Sequence, residues 1–533
     1  MIIIGFIALT LTLAAFLSDS KRCLMMMQQN SYRTERYSRW LTMSGDSTSF
    51  LRLAGYVVFF ISLCIFSIQP VALVLMCLFG ATVTALQYKA SGSYKKPLVW
   101  TARARRIYIT QVTLGLVITV AAMGIFGDES GVNLFYSAAT ALTGCYCADN
   151  IIVMLAVRLL APLEKRINRR YYDEAEMILR SMPELKVVGI TGSYGKTSTK
   201  HYLYRILSEH YETLMTPGSY NTTLGVVRTV REMMKPYTEI FIVEMGAKQP
   251  GDIEEICRLV HPQVGIVTAV GPQHLESFKT LERVQQTKFE LVDSLPVNGL
   301  AIINNDFSMI QSREVTNVPT RRYAVAFPEK ADLTATDIIY SPTGTTFTVT
   351  DGKDYSLTLT TRLLGECNIS NLIAAVIAAR YLGVPDDKIK TGVAAIEPVE
   401  HRLSIKRAGN LTLLDDAFNS NPLGSSMALD VLSAMPGCRV VITPGMIELG
   451  EKTYELNREF GKKIAACADI AYIVGHYNRE AIVSGIEEGI KEGSNIKIIT
   501  TETFMEAQTL MVQQTAGSQA TVLYENDLPD TFK

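Results

Sequence analysis

The stretch Val187-Val-Gly-Ile-Thr-Gly-Ser-Tyr-Gly-Lys-Thr-Ser198 constrains this chain more than any other. An apolar, β-branched run ends in a glycine-rich turn, and a helix-compatible stretch, Thr199–Ser208, follows. Strand, loop and helix in that order make a phosphate-binding loop. Gly192 and Gly195 let backbone N–H groups turn inward around an anion. The helix N-terminus adds its partial positive charge. Lys196 then reaches the outer phosphates, the Thr197 hydroxyl faces a divalent cation, and Ser193 and Ser198 complete the loop. The spacing departs from G-x-x-x-x-G-K-[ST], because Ile190 stands where the first glycine belongs. The bland alternative is a tight strand-to-helix turn with a chance lysine. The strand before and the helix after favour the phosphate loop.

A chain of 533 residues exceeds one core, and about two to four domains are expected. The net charge of −1 gives no whole-chain basicity, so nucleic acid is not an expected partner. The nine cysteines form no C-x-x-C pair, and Cys145 and Cys147 lie inside an apolar run. That pattern is neither a disulfide framework nor a zinc site, and reduced structural cysteines fit it.

The mean hydropathy is positive, and its source is the first third of the chain. Ile2–Leu17 is apolar and uncharged. A signal peptide is the alternative, but a basic segment and a small-residue cleavage site are missing. Leu53–Ile68 and Val71–Leu86 flank Gln69-Pro70 and read as a helical hairpin, being together too long for one span at ~1.5 Å per residue across ~30 Å. Ile107–Phe126 and Leu134 to about Leu160 complete a membrane domain, residues 1–160, of about five spans. Basic residues follow the first, third and fifth runs, while Gly127-Asp-Glu-Ser-Gly131 after the fourth is acidic. The positive-inside rule then sets the N-terminus outside and the phosphate loop in the cytoplasm, on a multi-pass protein of the cell membrane in contact with its lipids. Asp149 interrupts the fifth run. It is either a functional intramembrane acid or, the favoured reading, the cap of an interfacial helix starting at Ile151. Residues 161–182 read as a charged amphipathic connector near the membrane surface.

Beyond the loop, apolar strands alternate with helices. Glu239–Glu244, Val264–Val270 and Leu300–Asn304 read as strands; Asp252–Val260 and Leu281–Ser294 read as helices. Continuous apolar strands between helices mean a parallel sheet covered on both faces, with ligands at the strand C-termini. Tyr323–Leu364 reads as a small antiparallel insert at the sheet edge, and Ile369–Leu382 as a long helix. The fold class is therefore an N-terminal α-helical membrane domain, a central α/β phosphate-loop domain over 183–397, and a Rossmann-like α/β domain over 398–533.

Further motifs follow in order: Val243-Glu-Met-Gly-Ala247, His274-Leu-Glu276, Gln286-Thr-Lys288, Glu366-Cys-Asn368, His401-Arg402, Asp415-Asp-Ala-Phe-Asn-Ser-Asn-Pro422 and Gly445-Met-Ile-Glu-Leu-Gly450. Together with Thr191–Thr197 this ordered set, from about residue 185 to 460, resembles the Mur ligases. The similarity is greatest to the branch that attaches D-alanyl-D-alanine to UDP-muramoyl tripeptide. The resemblance implies an ATP-dependent ligase of peptidoglycan synthesis. ATP converts a carboxylate to an acyl phosphate, and an amino acid or dipeptide amine displaces phosphate. Such chemistry needs charge neutralisation and positioning more than covalent help.

The resemblance also assigns residues. Lys196 and Thr197 handle the γ-phosphate and a first Mg²⁺, and Glu244 is a ligand of that ion, which prefers oxygen. His274 and Lys288 resemble the holders of a second Mg²⁺, with Lys288 carbamylated, which requires a partly deprotonated lysine. Asn368 resembles the adenine reader, Arg402 the residue reaching the phosphates, and Asp416 the binder of the ribose hydroxyls. Asn221 and Thr222 resemble the loop facing the carboxylate substrate.

The chain departs from the family's pattern at Cys367, where histidine is usual, and at Pro444-Gly445. Tyr524–Asp530 replaces a lysine-glycine-serine stretch with acids. The UDP-sugar domain is replaced by the apolar third, which leaves a lipid-linked acceptor open. A nucleotide-binding scaffold without ligase activity is the alternative from another class. Folylpolyglutamate synthase is a weaker match, a lipid II-amidating partner would carry a cysteine-zinc cluster, and an ATP-driven transporter would show a cassette signature or an inverted repeat.

Overall fold

Long apolar segments in the first third close their own backbone hydrogen bonds as helices. The short β-branched runs after residue 185 have to pair with one another. The computed structural model describes residues 1–64, 69–91, 94, 96–127, 131–218, 220–272, 275–341, 344–399, 402–417, 420–491 and 495–527. It falls into two compact units, Met1–Ile167 and Asn168–Asp527.

The first unit holds helices α1 (Ile2–Gln29), α2 (Thr34–Ser44), α3 (Phe50–Cys64), α4 (Gln69–Ser91), α5 (Ala102–Phe126) and most of α6 (Val132–Arg180). Thr101 starts α5, its hydroxyl accepting the Ala104 N–H at 3.1 Å. Among the described residues, α1, α4, α5 and α6 are long and apolar enough to cross a membrane, and α3 is a shorter apolar helix. Outward side chains such as Phe60, Val117 and Val120 are exposed and apolar. The five apolar runs of the sequence thus each appear as a helix.

Inside, the unit is polar. Asp19 on α1 accepts from Arg22 at 3.0 Å and from Gln87 of α4 at 2.9 Å, and pairs with Arg52 of α3 at 2.6 Å. Arg22 also pairs with Asp46. These partners explain why α1 runs past the expected end at Leu17: its charges are neutralised within the bundle. Asp149 is no helix cap, which corrects the favoured sequence reading. It lies in the middle of α6, fully buried, and accepts from Ser20 at 2.9 Å and Gln111 at 2.8 Å. An acid in an apolar run looks like a boundary in one dimension, but neighbouring helices provide the donors that let the helix continue.

The second unit opens with the end of α6. Its Ala175 is buried in an apolar cluster with Val226 and Ile253, and Tyr172, Ile178 and Leu179 pack against that cluster. One apolar face of the expected connector therefore packs on protein. Then follow β1 (Lys186–Thr191), α7 (Lys196–Leu207), β2 (Thr213–Met215), α8 (Thr223–Met233), β3 (Ile240–Glu244), α9 (Asp252–Val260), β4 (Val264–Val267), α10 (Leu275–Phe278), α11 (Leu281–Asp293), β5 (Leu300–Asn304), α12 (Ser308–Gln311), β6 (Thr320–Ala324), β7 (Leu333–Ser341), β8 (Gly344–Thr350), β9 (Ser356–Thr361), α13 (Glu366–Tyr381) and α14 (Asp386–Ala394). The strands form one sheet in the order β2-β3-β1-β4-β5-β6-β7-β8-β9. It is parallel from β2 to β7, and β7, β8 and β9 are antiparallel, as the alternating pattern predicts.

A second sheet, in the order β10-β11-β15-β12-β13-β14, comprises β10 (Ser404–Ala408), β11 (Leu411–Asp416), β12 (Cys438–Thr443), β13 (Ile470–Val474), β14 (Lys497–Thr501) and β15 (Ala520–Glu525). It is parallel except for β10 against β11. Helices α15 (Pro422–Ser433), α16 (Thr453–Cys467), α17 (Arg479–Lys491) and α18 (Phe504–Thr515) accompany it. In both sheets the C-terminal strand ends gather the polar residues, where a doubly wound fold places ligands.

Candidate functional site: a phosphate loop beside a two-part cleft

β1 delivers the chain into the turn Gly192–Gly195, and α7 starts at Lys196. Two glycines here are obligatory. Gly192 has φ +149° and a Cβ there would collide with Thr268, while Gly195 has φ +78° and a Cβ would collide with Asn371. The Ser193 amide donates to the Ala269 carbonyl at 2.7 Å, and its hydroxyl is engaged with Gly271 at 3.1 Å. Ser193 therefore pins the loop to the segment that follows β4, with its amide engaged by protein. Lys196 Nζ donates to the carbonyls of Gly192 at 2.6 Å and Ser193 at 3.2 Å, lying across the loop.

β1 and β3 are neighbours in register, Ile190 opposite Glu244. That pairing brings the strand-end acid to the loop. Thr197 Oγ1 donates to Glu244 Oε1 at 3.2 Å, and Asn221 Nδ2 donates to the same oxygen at 3.3 Å. The other oxygen, Oε2, is 2.9 Å from Lys200 Nζ, an ion pair without hydrogen-bond angles. Sequence reasoning missed Lys200, which is fully buried. Its only linear signal is its place four residues after Lys196, one helical turn on along the same face.

Burial pushes Lys196 down to about 8, with Arg402 adding to the effect against the pull of Glu244. Burial likewise pushes Lys288, on α11, down to about 7, and the charge of Lys196 contributes. Burial alone would raise Glu244; the charges of Lys200 and Lys196 win and hold it below the usual carboxylate range. The site is a concentration of desolvated cations around one ionised acid.

A cleft of about 280 Å³ adjoins the loop. It is lined from the first sheet by Gly195, Ser198, Asn304 and Asn368, and from the second by Arg402 and Asp416. Asn368 accepts from the Tyr202 hydroxyl at 2.7 Å and donates to the Leu364 carbonyl at 2.8 Å, so both ends of its amide are held by protein. Asp416 accepts the Leu403 N–H at 3.0 Å; enclosure raises it to about 6 although Arg402 opposes. Cys367 faces the cleft with its thiol pushed up to about 12 by burial, which makes it inert. Asn304, at the end of β5, donates to Thr268 at 2.9 Å and Ser370 at 3.0 Å, forming the floor.

Thr222 is exposed and caps α8, accepting the Gly225 N–H at 3.3 Å, so its hydroxyl has a structural use. His274 lies outside the described residues. The structure thus joins Lys196, Thr197, Glu244 and Asn221 in one cluster and Asn368, Arg402 and Asp416 in one cleft.

Family models describe the same two parts. The Mur ligase middle domain matches residues 190–379, and the Mur ligase glutamate ligase domain matches 401–524. A UDP-N-acetylmuramoyl-tripeptide–D-alanyl-D-alanine ligase of Escherichia coli is 34% identical over 330 residues, covering 60% of this chain and 71% of that protein. The chain belongs to the Mur ligase family. A ligase of the same name from Haemophilus influenzae is 30% identical, over 58% of this chain and 68% of its own length. Among solved structures, MurF of Acinetobacter baumannii superposes with a TM-score of 0.61 at 25% identity, covering 68% of this chain and 77% of the other. MurF ligase of Thermotoga maritima, in complex with ADP, gives 0.60 at 25% identity, with 68% and 80% covered. The Mur ligase fold accounts for the second unit; the helical residues before 190 lie outside both family models.

Proposed function

We propose that this Mur ligase is an ATP-dependent ligase that adds D-alanyl-D-alanine to UDP-N-acetylmuramoyl-tripeptide, carried at the cell membrane by its N-terminal helices with the catalytic unit in the cytoplasm. The cluster of Lys196, Thr197, Glu244 and Asn221 is the observation that carries this reading. Phosphoryl transfer from ATP to a carboxylate needs cations fixed where negative charge accumulates. Lys196 provides one at the loop, and Arg402 another from the second sheet. Thr197 Oγ1 and Glu244 Oε1, 3.2 Å apart, are a hard oxygen pair that fits Mg²⁺. When bound, that ion neutralises phosphate oxygens. Lys288, depressed to about 7, is chemically able to form the carbamate that would hold a second Mg²⁺ with His274. Asp416 accepts from the ribose hydroxyls, and Asn221 orients the acceptor carboxylate beside the loop. Four helices of spanning length and composition support the membrane tether.

The test is phosphate release from ATP by detergent-purified protein, with and without UDP-muramoyl tripeptide plus D-alanyl-D-alanine. Release that requires both substrates and disappears in Lys196→Ala supports the proposal. Nucleotide binding with no substrate-dependent release would sink it and turn attention to a lipid-linked acceptor.

A further inference from the structure

We infer that Lys200 is a positioning residue, a built-in counter-ion that holds the Glu244 carboxylate ready for the divalent cation and fastens it to the substrate-facing loop. The inference rests on the reading of Glu244 as a metal ligand. Three observations carry it. First, the pair is sealed: Lys200 and Glu244 are 0% and 1% exposed. A lone carboxylate at that depth would be unstable, so something positive has to stay beside it.

Second, the two carboxylate oxygens are divided between partners. Oε2 lies 2.9 Å from the Lys200 ammonium. Oε1 faces Thr197 Oγ1 and Asn221 Nδ2 at 3.2 and 3.3 Å. A salt bridge that served only packing would be free to use both oxygens. Here the ammonium takes the rear oxygen and leaves the front one turned toward the phosphate loop. The Glu244 amide is also fixed, donating to Thr216 Oγ1 at 3.1 Å.

Third, Lys200 Nζ donates to the Gly218 carbonyl at 2.6 Å. Gly218, with φ +49°, belongs to the segment between β2 and α8 that carries Asn221. The same segment is tied down at Asn221, whose carbonyl accepts the Gly246 N–H at 2.7 Å. One ammonium therefore connects the helix of the phosphate loop, the metal-facing acid and the loop expected to meet the carboxylate substrate. Placing the acid, and with it the metal, depends on that connection.

The experiment uses the full chain in detergent, as wild type, Lys200→Met and Lys200→Arg. Thermal unfolding is followed at fixed ADP while Mg²⁺ is titrated from an EDTA baseline, and hydrogen exchange is measured over residues 216–222. Without Lys200, Glu244 keeps only the more distant charge of Lys196 and depends more heavily on the metal for neutralisation. Lys200→Met is therefore expected to melt lower in EDTA, to recover with Mg²⁺ by at least twice the wild-type shift, and to exchange faster in the loop. Lys200→Arg keeps the charge and is expected to stay close to wild type, so the inference is tested even if the methionine variant folds poorly. A drop in EDTA that Mg²⁺ does not recover, or an arginine variant as impaired as methionine, would overturn the inference while leaving the metal reading intact. If Mg²⁺ produces no shift in the wild type, the metal reading fails first and the inference falls with it.

Discussion

The helical bundle and the catalytic cleft both bury charge, but in opposite ways. In the bundle, Asp19 has Arg52 and Arg22, and Asp46 has Arg22. Asp149 is instead held by the neutral donors Ser20 and Gln111. Around the phosphate loop, Lys196 and Lys200 face the single acid Glu244, while Asp416 and Glu525 are enclosed together beside the cleft. The ion pairs of the bundle, Asp19 with Arg52 and Asp46 with Arg22, answer one another within the protein. At the phosphate loop the lysines outnumber the one acid, Glu244, and a polyphosphate would complete them. Matched buried charges organise a fold, whereas a one-signed surplus marks a place for a ligand.

The sharpest test of that contrast is to strand a matched charge. Asp19→Ala leaves the Arg52 guanidinium buried without its carboxylate, with an expected stability loss of about 3–5 kcal/mol, read by denaturant unfolding in detergent. A loss near zero would break the comparison. In the site, Lys196→Ala removes one cation from a crowd. Turnover is expected to fall by ~10²–10³-fold, while the melting temperature stays level or rises.

The next effect is a pH dependence. Lys288 is depressed to about 7, so its amine carries a proton below that pH and is neutral above it. Mg²⁺-supported turnover attributable to a neutral Lys288 is expected to fall about tenfold from pH 8 to pH 6. The same depression means that the unfolded chain holds more protons on this lysine between pH 7 and its ordinary value. Its contribution to stability accordingly rises with pH across that window. Lys288→Met should flatten that rise. The smallest effect is expected at Asp149→Asn, about 1 kcal/mol, because its partners are neutral and an amide replaces the acid isosterically. A loss as large as that of Asp19→Ala would show that Asp149 belongs with the matched charges.

Much of this was legible in one dimension. The phosphate loop, the parallel strands β1, β3, β4 and β5 and the antiparallel edge at β7–β9 follow from periodicity and turn residues. α9 occupies the predicted Asp252–Val260. What eluded the sequence depends on distant partners. Asp149 reads as a helix boundary until Ser20 and Gln111 arrive from other helices. Lys200 carries no reading of its own in the sequence and gains one only when the Gly218 carbonyl and Glu244 close over it.

The depressed lysine on α11 has one more implication. An ordinary lysine at neutral pH almost never presents a lone pair, whereas burial brings Lys288 down into the range where it can. An amine in that state combines with dissolved carbon dioxide. If the carbamate is the working form, translation alone does not finish this active site. Its last oxygen ligand would come from dissolved carbon dioxide and not from the gene-encoded chain.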